Sequence, residues 1–210
     1  MGDASGSALG EALRCCPLIS KLTVVLYNTK LTDAGGKELV SGLGHLPLQD
    51  LDLRIRDTQV AEETGVALGQ SLRNLSSLAK LYLSLADTRM GDASGSALGE
   101  ALRCCPQISQ LTVMLYNTKL TDAGGKKLVS GLGQLPLQDL DLRIRDTQVA
   151  DESGVALGQS LRSLSGLAKL HLELGNTKMG DPSGSALGEA LRCCPKISQL
   201  TVMLYSGYHT

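Results

Sequence analysis

The most reactive side chains in this sequence are six cysteines, which occur as three adjacent pairs. A thiolate can act as a nucleophile, bind a metal ion or form a disulfide, so the spacing of the pairs matters. Successive pairs are three structural repeats apart, which separates them by about 14 Å if parallel strands lie about 4.8 Å apart. A disulfide needs Cα atoms within about 7 Å, so we expect reduced thiols and a cytoplasmic protein. The pairs are Cys15-Cys16, Cys104-Cys105 and Cys193-Cys194.

Neither the thiols nor the histidines have the arrangement of a metal or redox site. Cys104 follows a helical segment, where the negative end of the helix dipole disfavours a thiolate. Cys105 occupies the position that Leu75 has in the preceding repeat, which makes it a core residue. The three histidines lie in unrelated parts of the repeat, without a second ligand at helical spacing. The sequence therefore predicts no metal ion and no cofactor.

The one histidine on the solvent side of a predicted strand, His171, has no catalytic set around it. Its expected neighbour on the adjacent strand is Asp141, but no serine or cysteine nucleophile accompanies them. Tyr82 takes the place of His171 in the earlier copy of the same unit, so the arrangement is not repeated. We therefore predict that the protein is not an enzyme.

The composition is typical of many thin layers rather than of one compact core. Hydrophobic residues make up 42% of the 210 residues, yet Phe and Trp are missing and Tyr occurs five times. A globule of this size normally fills its centre with aromatic rings. The formal net charge is −1 without a basic run, which argues against nucleic acid as a partner. No apolar stretch approaches the roughly 18–20 residues that span a bilayer, so we expect no membrane partner.

Two nested repeats organise the chain. A segment that begins at Gly2 returns at Gly91 and Gly180, which gives units 1–89 and 90–178 and a partial unit 179–210. Stacked short repeats form one continuous array, so we expect a single domain over 1–210. Within the units a leucine recurs every 29 or 30 residues, at Leu22, Leu51, Leu81, Leu111, Leu140, Leu170 and Leu200.

Each short repeat has one half with the period of a strand and one half with the period of a helix. Residues 22–26 alternate inward and outward positions, which is typical of a strand with one buried face. Leu39 and Leu43 have the spacing of one stripe of a helix. Asp181 before Pro182 is interpreted as a helix N-cap followed by the first helical residue. The predicted strands cover 22–26, 51–55, 81–85, 111–115, 140–144, 170–174 and 200–204.

These halves predict an α/β solenoid. A repeat of about 30 residues cannot bury its own apolar face, so the repeats must stack on one another. We expect a right-handed horseshoe with an inner parallel β-sheet of seven strands and outer α-helices, because strands occupy less width than helices.

The pattern resembles the ribonuclease-inhibitor type of leucine-rich repeat over the whole chain. Val24, Leu26, Thr29 and Leu31 match that family's Leu-x-Leu-x-x-Asn-x-Leu, with Thr in place of Asn, and Gly36 follows before the helix. The resemblance implies a binding scaffold. We expect the threonine hydroxyls to bond the backbone of adjacent turns, as the family's asparagines do. An Asn or Asp precedes each of these threonines, which favours turn capping over calcium binding.

We define the inner face as three rows of outward-directed residues that cross the predicted sheet. The first row is Thr23, Asp52, Tyr82, Thr112, Asp141, His171 and Thr201. The middle row is Val25, Arg54, Ser84, Met114, Arg143, Glu173 and Met203, and the last row is Tyr27, Arg56, Ala86, Tyr116, Arg145, Gly175 and Tyr205. Tyr, Arg and Met are enriched at protein interfaces. The predicted partner-binding residues are Tyr27, Arg54, Arg56, Tyr82, Met114, Tyr116, Arg143, Arg145, His171, Glu173, Met203 and Tyr205.

A comparison of the two full units suggests the charge of the partner. The units differ at about 14 positions, and four of these lie among the nine inner-face positions of a unit. Ser84 in the first unit is replaced by Glu173 in the second. Arg54 is therefore expected to stay free for an acidic protein, with Arg56 beside it, whereas Arg143 is expected to face Glu173. The opposing interpretation is a plain solvated face on which aspartates neutralise the arginines.

Three functions remain open at this stage. The first is a non-catalytic scaffold that binds another protein through the inner face. The second is a structural module that assembles head to tail into a homo-oligomer through the open ends of the array. The third is a regulator of small GTPases, which the family resemblance alone suggests.

Overall fold

The computed structural model describes residues 2–205, and this part contains an open sheet of seven parallel strands in chain order with a helix before each strand. The predicted leucine-rich-repeat solenoid is confirmed. A short 3-10 turn over Leu132–Gln134 follows the fifth helix. The helices α1 to α7 are Asp3–Arg14, Asp33–Leu43, Glu62–Leu72, Asp92–Leu102, Asp122–Ser130, Asp151–Arg162 and Asp181–Leu191. The strands β1 to β7 are Lys21–Val25, Asp50–Arg54, Lys80–Ser84, Gln110–Met114, Asp139–Arg143, Lys169–Glu173 and Gln199–Met203.

The register of the sheet follows the repeated leucine. Leu111 pairs with Leu81 on one side and with Leu140 on the other, and the same pairing continues across the sheet. Every strand begins and ends one residue earlier than predicted. The residue before each leucine is polar and therefore gives no apolar signal in the sequence. Its backbone nevertheless pairs with the neighbouring strands.

The core is a continuous stack of leucines between the sheet and the helices. The strand residues Leu111 and Leu140 are 2% and 0% exposed, and the helix residues Leu39 and Leu43 are fully buried. Cys105 is also fully buried, which confirms that it is a core residue. With no aromatic ring in these layers, aliphatic side chains of similar size fill each repeat in the same way.

The start of α7 differs from the prediction. Gly180 has the extended N-cap conformation, while Asp181 and Pro182 are already helical. The prediction that Asp181 caps its own helix was therefore wrong. In the other repeats the acidic residue at the first helical position does not cap its own helix. Its carboxylate accepts hydrogen bonds from the start of the next helix along the chain.

These cross-repeat caps recur through the array. The carboxylate of Asp122 accepts hydrogen bonds from the backbone N–H groups of Ala150 at 3.0 Å, Glu152 at 3.1 Å and Ser153 at 2.8 Å, all at the start of α6. We call the whole series the cap ladder. Its six carboxylates are those of Asp3, Asp33, Glu62, Asp92, Asp122 and Asp151.

The cap ladder stabilises charged carboxylates. Burial alone would raise the pKa of Asp122, but the hydrogen bonds from Ser153, Ala150 and Glu152 outweigh it and hold this pKa below its ordinary value. The pKa of Asp33 is lowered in the same way. Each ionised carboxylate also lies at the positive end of the next helix dipole, which favours its charge further.

The turns after the strands explain the repeated Asn/Asp-Thr pair. The residue before each threonine has a positive φ of 49° to 55°, a conformation that Asn and Asp tolerate better than most residues. The turn interpretation is confirmed. The expected bonds from threonine to adjacent turns were wrong, because the hydroxyl of Thr88 donates to the Leu85 carbonyl of its own turn at 2.7 Å. Adjacent turns are joined instead by the side chains of Asn117 and Asp87 at 2.7 Å.

Candidate functional site

The sheet presents the three predicted rows of the inner face on one surface. Asp52 pairs in register with Tyr82, and Arg54 pairs with Ser84 two residues later. Alternation along the strand therefore points these side chains to the same side, away from the leucine core. The last row follows the strand ends, where the Asn28 N–H still donates to the Arg56 carbonyl at 3.4 Å.

Three small residues of the inner face are covered by their neighbours. Ser84 is 2% exposed and Ala86 is fully buried, so the expectation that they face solvent was wrong. Gly175 is buried too, and a Cβ placed on it would lie 2.5 Å from the ring of Tyr205. The ring of Tyr205 therefore lies directly over Gly175. Small residues at these positions provide space for the larger side chains of adjacent strands.

Arg54 is held by an aspartate of its own strand. Its Nε and Nη2 atoms lie 2.7 and 2.8 Å from the two carboxylate oxygens of Asp52, and its guanidinium carbon lies 4.4 Å from the centre of the Tyr82 ring. The expectation that Arg54 is free for a partner was wrong. The spacing of Asp52 and Arg54 could have identified this ion pair, because residues two apart on a strand lie on the same face.

The second unit repeats this pairing and adds a further acid. Arg143 lies 2.9 Å from both carboxylate oxygens of Asp141 and 3.9 Å from Glu173. The Nε atom of Arg145 lies 2.9 Å from Glu173, and Arg145 also contacts Asp146. The hydrogen bonds and the charge of Asp141 raise the pKa of Arg143. Both arginines of this unit are therefore compensated by carboxylates.

Arg56 differs from the other three arginines because it forms no salt bridge with any residue in the range 2–205. Its guanidinium lies 5.2 Å from the centre of the Tyr27 ring and donates to the Tyr116 hydroxyl at 3.2 Å. Tyr116 is in turn stacked against Arg145, whose guanidinium carbon lies 4.3 Å from the centre of the Tyr116 ring. We call Tyr27, Arg56, Tyr116 and Arg145 the Tyr-Arg row.

An acidic depression lies at the opposite ends of the strands. It has a volume of about 330 Å³, and Tyr82 and Lys80 are part of its wall. The sequence prediction missed Asp50 and Asp139 here, because each strand was placed one residue too late. The repeated polar residue before each leucine was the signal that could have identified them. The four acidic wall residues are Asp50, Asp52, Asp139 and Asp141.

The remaining predicted residues lie on the inner face without forming a catalytic set. His171 pairs in register with Asp141, but that carboxylate binds Arg143 instead. The Nε2 atom of His171 is buried and has no hydrogen-bond partner among the described residues. The Tyr82 hydroxyl lies 3.6 Å from the sulfur of Met114. The last two residues, Met203 and Tyr205, are 41% and 44% exposed at the end of the array.

The thiols are free in the described part of the chain, which includes all six. Burial raises the pKa of Cys105 to about 11, and the neighbouring thiol of Cys104 adds to this rise. Between residues 2 and 205, no three His, Cys, Asp or Glu side chains converge into a group that could hold a metal ion. The helices of the same range are too short or too polar to cross a bilayer.

Comparisons with known proteins add little to this picture. No protein-family model matches the sequence, and no curated protein is significantly similar to it. Among solved structures, the chain is similar to an internalin from Listeria monocytogenes, with 16% identity and a TM-score of 0.24 over 95% of this chain and 84% of the internalin. That TM-score is too low to establish a shared fold. The fold assignment therefore follows from this chain's own repeated helices, strands and register.

Proposed function

We propose that this protein is a non-catalytic scaffold that binds another protein through the Tyr-Arg row of its inner face. Leucine-rich-repeat folds commonly mediate protein binding, and the repeats here leave one whole side of the sheet free of helices. The observation that carries the proposal is the stacking of Tyr27, Arg56, Tyr116 and Arg145 into one continuous surface.

The stacking favours binding for an entropic reason. An arginine side chain that is ordered only on association loses about 0.5–1.5 kcal/mol of rotamer entropy. Arg56 and Arg145 are already held against tyrosine rings, so part of that cost is removed before a partner arrives. Tyrosine and arginine are also the residue types that most often dominate interface energies.

The charges of the inner face favour an acidic partner in one orientation. Arg56 is a cation without a carboxylate partner among the described residues, whereas each of the four carboxylates at the strand starts is paired with a Lys or Arg, so that these ion pairs offer no uncompensated positive charge to an acidic protein. A partner with an acidic segment should therefore lie along the strand ends. Complementary charges of this kind increase the association rate more than they increase affinity.

Two further features of the proposal concern the type of repeat and its surroundings. An α-helix of 9 to 12 residues before every strand supports the ribonuclease-inhibitor type over leucine-rich repeats without regular helices. Six unbridged thiols support a reducing compartment such as the cytoplasm. We treat 1–210 as one repeat domain in the same proposal.

Affinity capture with matched charge variants tests the function. The wild-type chain, Arg56→Glu and Arg103→Glu are each immobilised, and retained proteins from a native extract are quantified. Arg103 is exposed at the C-cap of α4, so Arg103→Glu makes the same charge change away from the inner face. A true partner should be lost with Arg56→Glu and retained with Arg103→Glu.

The candidate partner then allows a direct test of the charge. Its association rate with the wild-type chain should fall as ionic strength rises. The double variant Asp52→Asn/Arg54→Gln, which removes a neutral ion pair, should change the rate less than Arg56→Gln, which removes an uncompensated charge. If no retained protein distinguishes Arg56→Glu from Arg103→Glu, the inner face is not the binding surface and the proposal fails.

A further inference from the structure

Ion pairs join neighbouring helices on their outer side, and four of these pairs repeat from one unit to the next. In each of them a Lys or Arg of one helix contacts a Glu of the following helix. The four repeated pairs are Lys37–Glu63, Lys126–Glu152, Arg73–Glu100 and Arg162–Glu189. Since these contacts follow from the repeat itself, a position at which the two units differ is informative.

One position of this series reverses its charge between the units. In the first unit, Arg14 of α1 lies 3.4 Å from Glu38 of α2. The corresponding residues of the second unit are Arg103 of α4 and Lys127 of α5. Among the differences between the two units, the change from Glu38 to Lys127 is the one that replaces an acid with a base. Two cations, which we call the cation pair, therefore occupy the positions of an ion pair.

The backbone holds the cation pair at the same close approach. A Cβ placed on Gly10 of α1 would lie 2.7 Å from the carbonyl carbon of Glu38. One placed on Gly99 of α4 would lie 2.8 Å from the carbonyl carbon of Lys127. The helices α4 and α5 are therefore packed as tightly as α1 and α2, and Lys127 faces Arg103 across the gap that Glu38 spans in the first unit.

The cation pair is not compensated by acids of its own helices. Arg103 and Lys127 are both exposed, and neither forms a salt bridge with any residue between 2 and 205. Glu100, on the same helix as Arg103, already contacts Arg73. The acid of α5 is Asp122, whose carboxylate caps the start of α6. Two positive charges thus face each other at the surface.

The helix dipole reduces this charge without removing it. Arg103 is the C-cap residue of α4, and the negative end of a helix dipole corresponds to about half an elementary charge. More than one positive charge therefore remains at the cation pair. Because both side chains are solvated, the charge can be neutralised by a small anion that contacts them together.

A phosphate group matches these two cations better than a carboxylate does. Its two negative charges can balance both side chains, whereas a carboxylate supplies only the single charge that Glu38 supplies in the first unit. The planar guanidinium of an arginine binds two phosphate oxygens side by side. The ammonium group of a lysine binds a further oxygen as a compact charge.

We infer that Arg103 and Lys127 form a binding site for a phosphate group, either free or carried by a phosphorylated protein. The site lies in the helix layer, while the Tyr-Arg row lies on the inner face of the sheet. The inference is therefore independent of the proposed function, and either can fail without the other. The bound phosphate links α4 to α5, so it should raise the stability of the folded chain by mass action.

The sister unit supplies the variants that test the site. Lys127→Glu recreates the ion pair of the first unit, so it should fold normally and lose phosphate binding. Glu38→Lys recreates the cation pair between α1 and α2, so it should gain a second site. Lys30→Glu is the charge-matched control for Lys127→Glu, because Lys30 is exposed on a turn of the first unit, away from α4 and α5.

Thermal melting in inorganic phosphate at pH 8 measures binding, with chloride replaced at constant low ionic strength because exposed charges are screened by salt. At about ten times the dissociation constant, phosphate should add roughly 3–6 °C to the Tm of the wild type. Phosphate also stabilises folded proteins in general, but this effect is common to all variants. Beyond it, Lys127→Glu should gain nothing, Lys30→Glu should gain as much as the wild type, and Glu38→Lys should gain about twice as much.

A second titration separates the two sources of the phosphate group. It uses a short uncharged peptide with one phosphoserine, and the same peptide without the phosphate as its control. A larger gain with the phosphopeptide than with inorganic phosphate assigns the site to a phosphorylated protein, and a smaller gain assigns it to free phosphate. Equal gains for the wild type and Lys127→Glu overturn the inference. A gain that Lys30→Glu also loses, or that Glu38→Lys does not increase, overturns it as well.

Discussion

The cap ladder predicts that the same substitution destabilises one repeat and leaves another almost unchanged. Asp122→Ala removes the carboxylate that accepts three backbone hydrogen bonds at the start of α6. Asp181→Ala makes the same change at the same helical position of α7, where the carboxylate has no following helix within residues 2–205. Both substitutions remove one charge and place Ala at the first helical position, so their difference isolates the contact between repeats.

The structure sets the size of this difference. Loss of a helix cap costs about 0.5–2 kcal/mol, and the three charged hydrogen bonds that Asp122 accepts, which water only partly replaces, place Asp122→Ala near 2 kcal/mol. Asp181→Ala loses an interaction with its own helix dipole of about 0.3–1 kcal/mol, which the higher helix propensity of Ala offsets by about 0.5 kcal/mol. For about 200 residues, 2 kcal/mol lowers Tm by roughly 4–8 °C.

Thermal melting followed by circular dichroism measures the stability of both variants against the wild type. The pH supplies a second readout. Because the folded pKa of Asp122 is lowered, its contribution is complete at pH 7 and disappears as the pH falls below about 4 and through the folded value. The deficit of Asp122→Ala should shrink over the same range. Equal melting of the two variants at pH 7 would refute the cross-repeat cap.

Two further predictions concern the facing of the strands and the thiols. Leu111→Asp buries an unpaired charge beside Leu81 and Leu140 and should unfold the array at a cost of several kcal/mol, whereas Thr112→Asp, on the inner face, should melt within a few degrees of wild type; similar melting of both would contradict the assigned facing. In the native protein Cys104 should react with a thiol reagent and Cys105 should not, because Cys105 is fully buried and its pKa is raised to about 11; all six thiols should react after denaturation, and a lower count would contradict the reduced state.

The fold could be predicted from the sequence because one leucine position recurs through every repeat. The step of 29 or 30 residues fixes the strand register before any coordinate is known, and Leu81, Leu111 and Leu140 pair accordingly. The ends of the strands and helices were less predictable, because a polar residue can pair with a neighbouring strand or begin a helix without interrupting the apolar pattern. This is why the strand bounds were one residue late and Asp181 was assigned to the wrong side of the helix start.

The inner face was predicted less completely than the fold. Membership of the three rows follows from alternation alone, so Arg54, Arg56 and Tyr116 were placed on the correct surface. Which charges neutralise each other depends on side-chain reach, and the sequence comparison considered only residues on adjacent strands. The pairing of Arg54 with Asp52 on the same strand instead agrees with the opposing interpretation, in which aspartates neutralise the arginines. The bond from Arg56 across Ala86 to Tyr116 spans two strands and has no signature in the sequence.

The cap ladder also gives the array a direction of folding. The start of α6 depends on Asp122 of the preceding repeat, while α5 receives no corresponding bond from α6. A repeat that is already folded therefore offers its carboxylate to the next segment, and the helix forms on a preset acceptor rather than by costly nucleation in isolation. The free energy of this contact is the same in either order of folding, but we expect a new helix to form faster on the C-terminal side of a folded repeat than on its N-terminal side. A ribosome delivers the repeats in this same order, so each new helix emerges beside the carboxylate that caps it.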